Sequence, residues 1–169
     1  FFGSNPYLTL TGRARDYQVK TGEHTNMCHG SVFEAFRQAF AESTIPHPDG
    51  LPPFFGGAVG YLSYDLVRSF EALPALASDD LGLPDLQMAF FDLVAAIDHH
   101  THQLYLMYCP PLSRFLAEPR EKLFREGCDR LAELEARLTG PSSPRSTKTW
   151  SAQPGFVPSQ SREAYTARV

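Results

Sequence analysis

The sequence predicts an α+β domain, a largely antiparallel β-sheet packed with two or more helices. Three observations carry this. Strand-like alternation and short apolar runs recur through 7–19, 55–63 and 86–108, with turn signals between them in hairpin order. Two stretches, after Ser31 and after Pro119, carry apolar residues at helical spacing. The 169 residues are 43% hydrophobic and 20% charged, an ordinary globular balance that excludes wholesale disorder and rod-like folds. A domain of about 150 residues buries roughly 68–70% of its unfolded surface, enough for a core.

Taken in order, Tyr7, Thr9 and Thr11 alternate with Leu8 and Leu10 as a half-buried strand. Gly12 reads as a bulge or a turn before a second strand through Tyr17 and Val19, and 21–23 as a turn. Ser31 caps a helix, with Glu34 three residues on completing a capping box and Val32, Phe33, Phe36 and Phe40 forming one face. Prolines 46, 48, 52 and 53 exclude regular structure there. The apolar run 55–63, with Gly56, Gly57 and Gly60, reads as a buried strand approached closely by other backbone, and 64–71 as a short helix closed by Pro74. After a loop at 79–84, 86–99 is nearly all apolar and reads as a strand covered on both faces. A hairpin turn at 98–101 leads to a strand over 102–108. A helix over 118–138 has Pro119 at its first position and Phe124, Cys128, Leu131, Leu134 and Leu138 as its stripe. The expected total is six strands and two helices. The expected organisation is a domain over 1–139, a Ser/Pro-rich linker over 140–160 and, from 161 to 169, the helical start of a further domain.

The net charge of −4 supplies no global attraction for nucleic acid or an anionic membrane, and no run reaches the ~18 apolar residues of a membrane helix. Cys28, Cys109 and Cys128 are odd in number and far apart, which argues for a reducing compartment and a cytoplasmic location. The absence of a starting Met and the abrupt close at Val169 suggest a fragment of a longer protein.

No catalytic set assembles from spacing alone. His24, Cys28 and His29 superficially resemble metal ligands but lack a second ligand pair, so they are expected in a solvated loop. His100 and His102 would share one face of a strand, though a surface hairpin tip is the simpler expectation for His99, His100 and His102. The GGxxG spacing of Gly56, Gly57 and Gly60 matches neither phosphate-binding pattern and points to close packing. Asp65 suits a helix start and Asp98 an Asx turn. Cys28 and His29 are adjacent, which sends their side chains apart.

The order of several segments is more specific. Pro53-Phe54-Phe55-Gly56-Gly57-Ala58-Val59-Gly60-Tyr61, Ser63-Tyr64-Asp65-Leu66-Val67-Arg68 and Phe70-Glu71-Ala72-Leu73-Pro74 lie collinear with Asp79-Asp80-Leu81-Gly82-Leu83-Pro84-Asp85-Leu86. Phe91-Asp92, Asp98-His99 and Ser161-Arg162-Glu163-Ala164-Tyr165 follow, and Phe2-Gly3-Ser4-Asn5-Pro6 precedes them. The series resembles the N-terminal region of component I of the chorismate-aminating enzymes, the aminodeoxychorismate (para-aminobenzoate) and anthranilate synthases.

That resemblance implies a non-catalytic region of an enzyme whose C-terminal half binds chorismate and Mg²⁺, with a glutamine amidotransferase partner supplying ammonia. It implies a tryptophan effector in feedback-regulated members. No catalytic, metal or cofactor residue is expected in this stretch, and the fragment alone is expected to be inactive. Gly56, Gly57, Tyr61, Tyr64 and Asp65 carry the match and are assigned to structure or to an inter-domain contact. Residues 70–74 and 91–99 look more like the aminodeoxychorismate enzymes of folate biosynthesis, with the anthranilate enzymes of tryptophan biosynthesis as the alternative. A reading of another class is a stand-alone amino-acid-binding regulatory module. Surface normally covered by the missing half is expected to cause self-association or poor solubility.

Overall fold

The computed structural model describes residues 1–13, 15–42, 45–74, 78–141 and 161–167. The chain divides into two compact units, 1–139 and 140–169. In the first, β1 (Phe2–Gly3), β2 (Leu8–Arg13), β3 (Asp16–Thr21) and β4 (His24–His29) precede α1 (Val32–Ala41). β5 (Gly57–Leu62) and a 3₁₀ turn (Tyr64–Ser69) follow, then β6 (Leu86–Phe91), β7 (Leu93–Asp98), β8 (Gln103–Tyr108), α2 (Leu112–Ala117) and α3 (Arg120–Thr139). In the second unit, the described structure is α4 (Arg162–Thr166).

All strand pairings are antiparallel, as the α+β reading expects. They form a five-stranded sheet of order β4-β3-β2-β6-β5 and a three-stranded sheet of order β1-β7-β8. Leu10 stands opposite Val19 on one side and Met88 on the other, so period-two alternation puts one apolar row on one face. α1 lies on that face. Leu10, Val32, Leu66, Leu86 and Phe90 are buried there, with Phe33 and Phe36 packed around them. Burying a side chain such as Phe90 contributes about 1.5–3 kcal/mol. The Ser31 hydroxyl accepts from the Glu34 amide at 3.2 Å, the cap the sequence predicts. The Glu34 carboxylate is held by Arg37 at 2.6 and 2.9 Å.

The three-stranded sheet has its own core of Val94, Ala96 and Met107 beneath Leu51, Phe54 and Phe55. α3 packs along β8, where a Cβ on Gly127 would lie 2.7 Å from Tyr108 Cδ1. This close approach is available only to glycine.

The structure corrects several expectations. Residues 24–29 form a strand rather than a loop: a turn at Gly22 (φ +58°) returns the chain, and every residue of β4 pairs with β3. Gly12 lies inside β2, where a Cβ would press on Val32 and sit 2.7 Å from Tyr17 Cβ, so helix packing rather than a turn requires it. The run 86–99 is two strands in two different sheets, interrupted at Asp92. The strand expected over 55–63 is an edge strand whose last four residues are exposed, because only β6 pairs with it among the described residues. Residues 64–69 form a 3₁₀ turn, and α2 was not anticipated. α3 buries Leu123 and Gly127, while Phe124 and Cys128 of the expected stripe face solvent. The described residues thus hold eight strands and four α-helices instead of six and two. Most of the expected linker, 142–160, lies outside the described residues.

Candidate functional site

Gly56, Gly57, Tyr61, Tyr64 and Asp65 lie along β5 and the turn after it. Gly56 precedes the strand where the chain crosses the junction of the two sheets. A Cβ there would meet Cys109 Cβ at 3.0 Å and the Phe91 carbonyl oxygen at 3.4 Å. Gly57 has φ +124°, a conformation L side chains rarely adopt. Both glycines therefore have structural causes. Gly60 has another: a Cβ would collide with the Gln87 carbonyl oxygen across the β5–β6 ladder.

Tyr61 is 39% exposed and Tyr64 89% exposed. Val59, Leu62 and Phe70 nearby are also exposed. Asp65 accepts from Arg68 Nε at 2.9 Å, and Arg68 Nη1 donates to the carbonyls of Leu73 and Pro74 at 3.0 and 2.8 Å. The family-like segment thus places apolar side chains in solvent and holds Asp65 in a local ion pair.

A cleft of about 1200 Å³ borders this segment, lined by Arg13, His29, Ser63, Asp65, Arg68 and Asp79 among others. Its charges are largely paired internally. Arg13 meets Asp79, Arg68 meets Asp65, and the Ser63 hydroxyl donates to Asp85 at 3.3 Å.

The most connected polar group lies elsewhere. Asp92 is 4% exposed, in the single residue between β6 and β7. Arg130 of α3 grips both its carboxylate oxygens, one at 2.9 Å, and lies 4.9 Å above the Tyr108 ring. The Tyr108 hydroxyl donates to Glu126 at 2.9 Å. Arg114 of α2 bridges Glu126 and Glu118 at 2.7 and 2.6 Å. The Arg114 bonds hold both glutamates at about 2. Burial, then the bond to Glu126, pushes the Tyr108 hydroxyl up. Burial, and secondarily Asp92, raises the Cys109 thiol and keeps it protonated. The network ties α2 and α3 to the sheets. It contains no nucleophile beside a base. Sequence reasoning named Asp92 only within the family-like Phe91-Asp92 pair and gave it no partner. Its signal was a lone charge inside an apolar run.

The histidines do not converge. Alternation along β4 puts His24 and Cys28 on one face and His29 on the other, where His29 Nδ1 lies 2.9 Å from Asp16. Residues 99–102 form the turn after Asp98, whose carboxylate accepts from the His100 amide at 2.8 Å and the Thr101 hydroxyl at 2.7 Å. Those bonds, the Thr101 hydroxyl first, lower its pKa. His102 has φ +55° and precedes the strand, so the shared face with His100 does not form. Among the described residues no three His, Cys, Asp or Glu side chains are grouped to hold a metal ion, so they do not fit a Mg²⁺ site. No helix among them is long and apolar enough to cross a membrane.

Comparison with known proteins bears on this arrangement directly. The family model described as "chorismate binding enzyme" matches residues 3–169. Anthranilate synthase component 1 of Thermus thermophilus is 43% identical over 162 residues, covering 94% of this chain and 32% of that protein. Aminodeoxychorismate synthase component 1 of Salmonella typhimurium is 35% identical over 105 residues, covering 62% of this chain and 23% of that protein. The crystal structure of anthranilate synthase component I from Streptococcus pneumoniae superimposes with a TM-score of 0.60 at 18% identity, over 84% of this chain and 29% of that one, a likeness of fold. The chain therefore spans about a third or less of the length of these relatives. On the match across residues 3–169, the chain belongs to the chorismate-binding enzyme family.

Proposed function

We propose that this chain is the non-catalytic N-terminal region of component I of a chorismate-aminating synthase. The observation that carries the reading is the relationship across nearly the whole chain, which spans about a third of the length of its Thermus relative. Residues 1–139, one compact unit of the structure, form the N-terminal domain, with 140–160 as a linker and 161–169 as the opening of the chorismate-binding part. Chorismate and Mg²⁺ are bound by that part, a glutamine amidotransferase supplies ammonia, and the enzyme acts in the cytoplasm. The fragment alone makes no aromatic amine.

On this reading the exposed residues Val59, Tyr61, Tyr64 and Phe70 form the contact with the catalytic part, and Gly56, Gly57 and Asp65 shape the backbone that presents them. The Thermus relative, matched over 94% of this chain, favours anthranilate as the product. Matches to three aminodeoxychorismate synthases at 32–35% identity, together with residues 70–74 and 91–99, favour aminodeoxychorismate.

The test is to incubate the full-length protein with chorismate, Mg²⁺ and ammonium, and to separate the products. Anthranilate or aminodeoxychorismate identifies the enzyme. Formation of neither, by a folded protein that binds its amidotransferase, rejects the reading. Calorimetry with tryptophan tests the effector: tight binding by residues 1–169 alone would favour the free-standing regulatory module instead.

A further inference from the structure

The two edges of the five-stranded sheet differ in chemistry. β4 forms one edge with His24, Thr25, Asn26 and His29, a polar strand. β5 forms the other with Gly-Ala-Val-Gly-Tyr-Leu. This strand has no charge, no proline and no bulge, since its six residues pair one-to-one with β6. Natural proteins blunt a free edge with charge, proline, a bulge or a covering element, because an unpaired row of N–H and C=O groups templates another strand. β5 carries none of the first three devices. Val59, Tyr61 and Leu62 are 54%, 39% and 47% exposed. Gly57 and Gly60 carry no side chain to lean over the edge, and glycine within a strand marks a place where other backbone comes close.

We propose that a β-strand from the remainder of the full-length polypeptide pairs along the outer edge of β5 and extends this sheet to a sixth strand. The proposal rests on the functional reading above and specifies its inter-domain contact as a backbone ladder rather than side-chain packing alone. The occupant follows from length and composition. The relatives are about three times as long as this chain, so most of their polypeptide is available to supply the strand. The edge it must match is apolar and uncharged, which suits a permanent intramolecular partner.

Hydrogen exchange on the full-length protein tests this, with β4 as the internal control. In an edge strand every second amide points to solvent and exchanges quickly, whereas a strand paired on both sides protects them all. The expected result is the alternating pattern in β4 and continuous protection across Gly57–Leu62, its outward amides slower than those of β4 by about 100-fold or more. An alternating pattern in β5 overturns the proposal. Protection that disappears on dilution also overturns it, because the partner is then a second copy. So does a crystal structure of the full-length protein in which a loop or helix covers β5 without a hydrogen-bonded ladder. The product assay on the same preparation keeps the two readings separate. An active enzyme with an unpaired β5 defeats this proposal alone, and an inactive protein with a paired β5 defeats the functional reading alone.

Discussion

On the five-stranded sheet, α1 contributes Val32 to an apolar core with Leu10, Leu86 and Phe90. On the three-stranded sheet, α3 has only Leu123 and Gly127 fully buried and is tied down by Asp92, Arg130, Tyr108, Glu126 and Arg114. The helices differ because their sequences do. α1 offers Val32, Phe33 and Phe36 on one side. α3 is charged around most of its circumference and must dock through polar groups. The lesson concerns specificity. Apolar packing tolerates sliding, whereas the bidentate Arg130–Asp92 pair fixes α3 to the residue where the chain changes sheets. Whether a buried pair also adds net stability depends on the balance of desolvation and attraction.

The contrast can be broken most severely on the apolar side. Phe90→Ala is expected to cost about 3–5 kcal/mol in chemical denaturation, through lost burial and the cavity left behind. Arg130→Met comes next. It strands the Asp92 carboxylate, which is 4% exposed, and is expected to cost about 3 kcal/mol. The double variant Asp92→Leu/Arg130→Met should regain most of that loss. A double variant as unstable as the single one would show that the pair itself, not the stranded charge, stabilises the junction. Gly60→Ala is expected to cost about 1–3 kcal/mol, because the new Cβ meets backbone rather than a movable side chain.

Acid distinguishes the two helices without mutation. Glu118 and Glu126 sit at about 2 in the fold, below their ordinary 4.5. Their folded values are depressed, so their contribution is complete above about pH 4.5 and is lost as pH falls toward 2. Amide protection in α2 and α3, taken relative to the intrinsic rate at each pH, should fall over that window before protection in α1, and Glu126→Gln should flatten the dependence. The smallest effect is expected at Phe124, which is 73% exposed. Phe124→Ala should change the denaturation midpoint by less than the equivalent of about 0.5 kcal/mol. A larger loss would mean that this part of α3 is covered in solution.

Much of the local structure was legible. Ser31 and the aromatic spacing after it announced α1, and alternation announced β2, β3 and β8. Asp98 announced its turn. Gly57 and Tyr61 fall in β5, within the strand expected over 55–63, and Gly56 just before β5, while Tyr64 and Asp65 fall in a 3₁₀ turn where a short helix was expected. Their close approaches were legible as glycines, but the approaching groups were not. Gly56 meets Cys109, which is 53 positions away in the sequence and has no local signature. β4 was missed because edge strands accept polar residues, so its His, Thr and Asn content resembled a loop.

The class of the fold, the caps and turns, and the family could all be read from the residues alone. These rest on neighbours within a few residues or on collinear motif order. Long-range packing settles which strands share a sheet, that β5 lies at an edge, and that α3 turns Leu123 and Gly127 inward rather than Phe124 and Cys128. It also joins Asp92 to Arg130 across a separation of 38 residues. The physical reason is that periodicity constrains which residues share a face, while strand pairing and long-range ion pairs decide what that face meets.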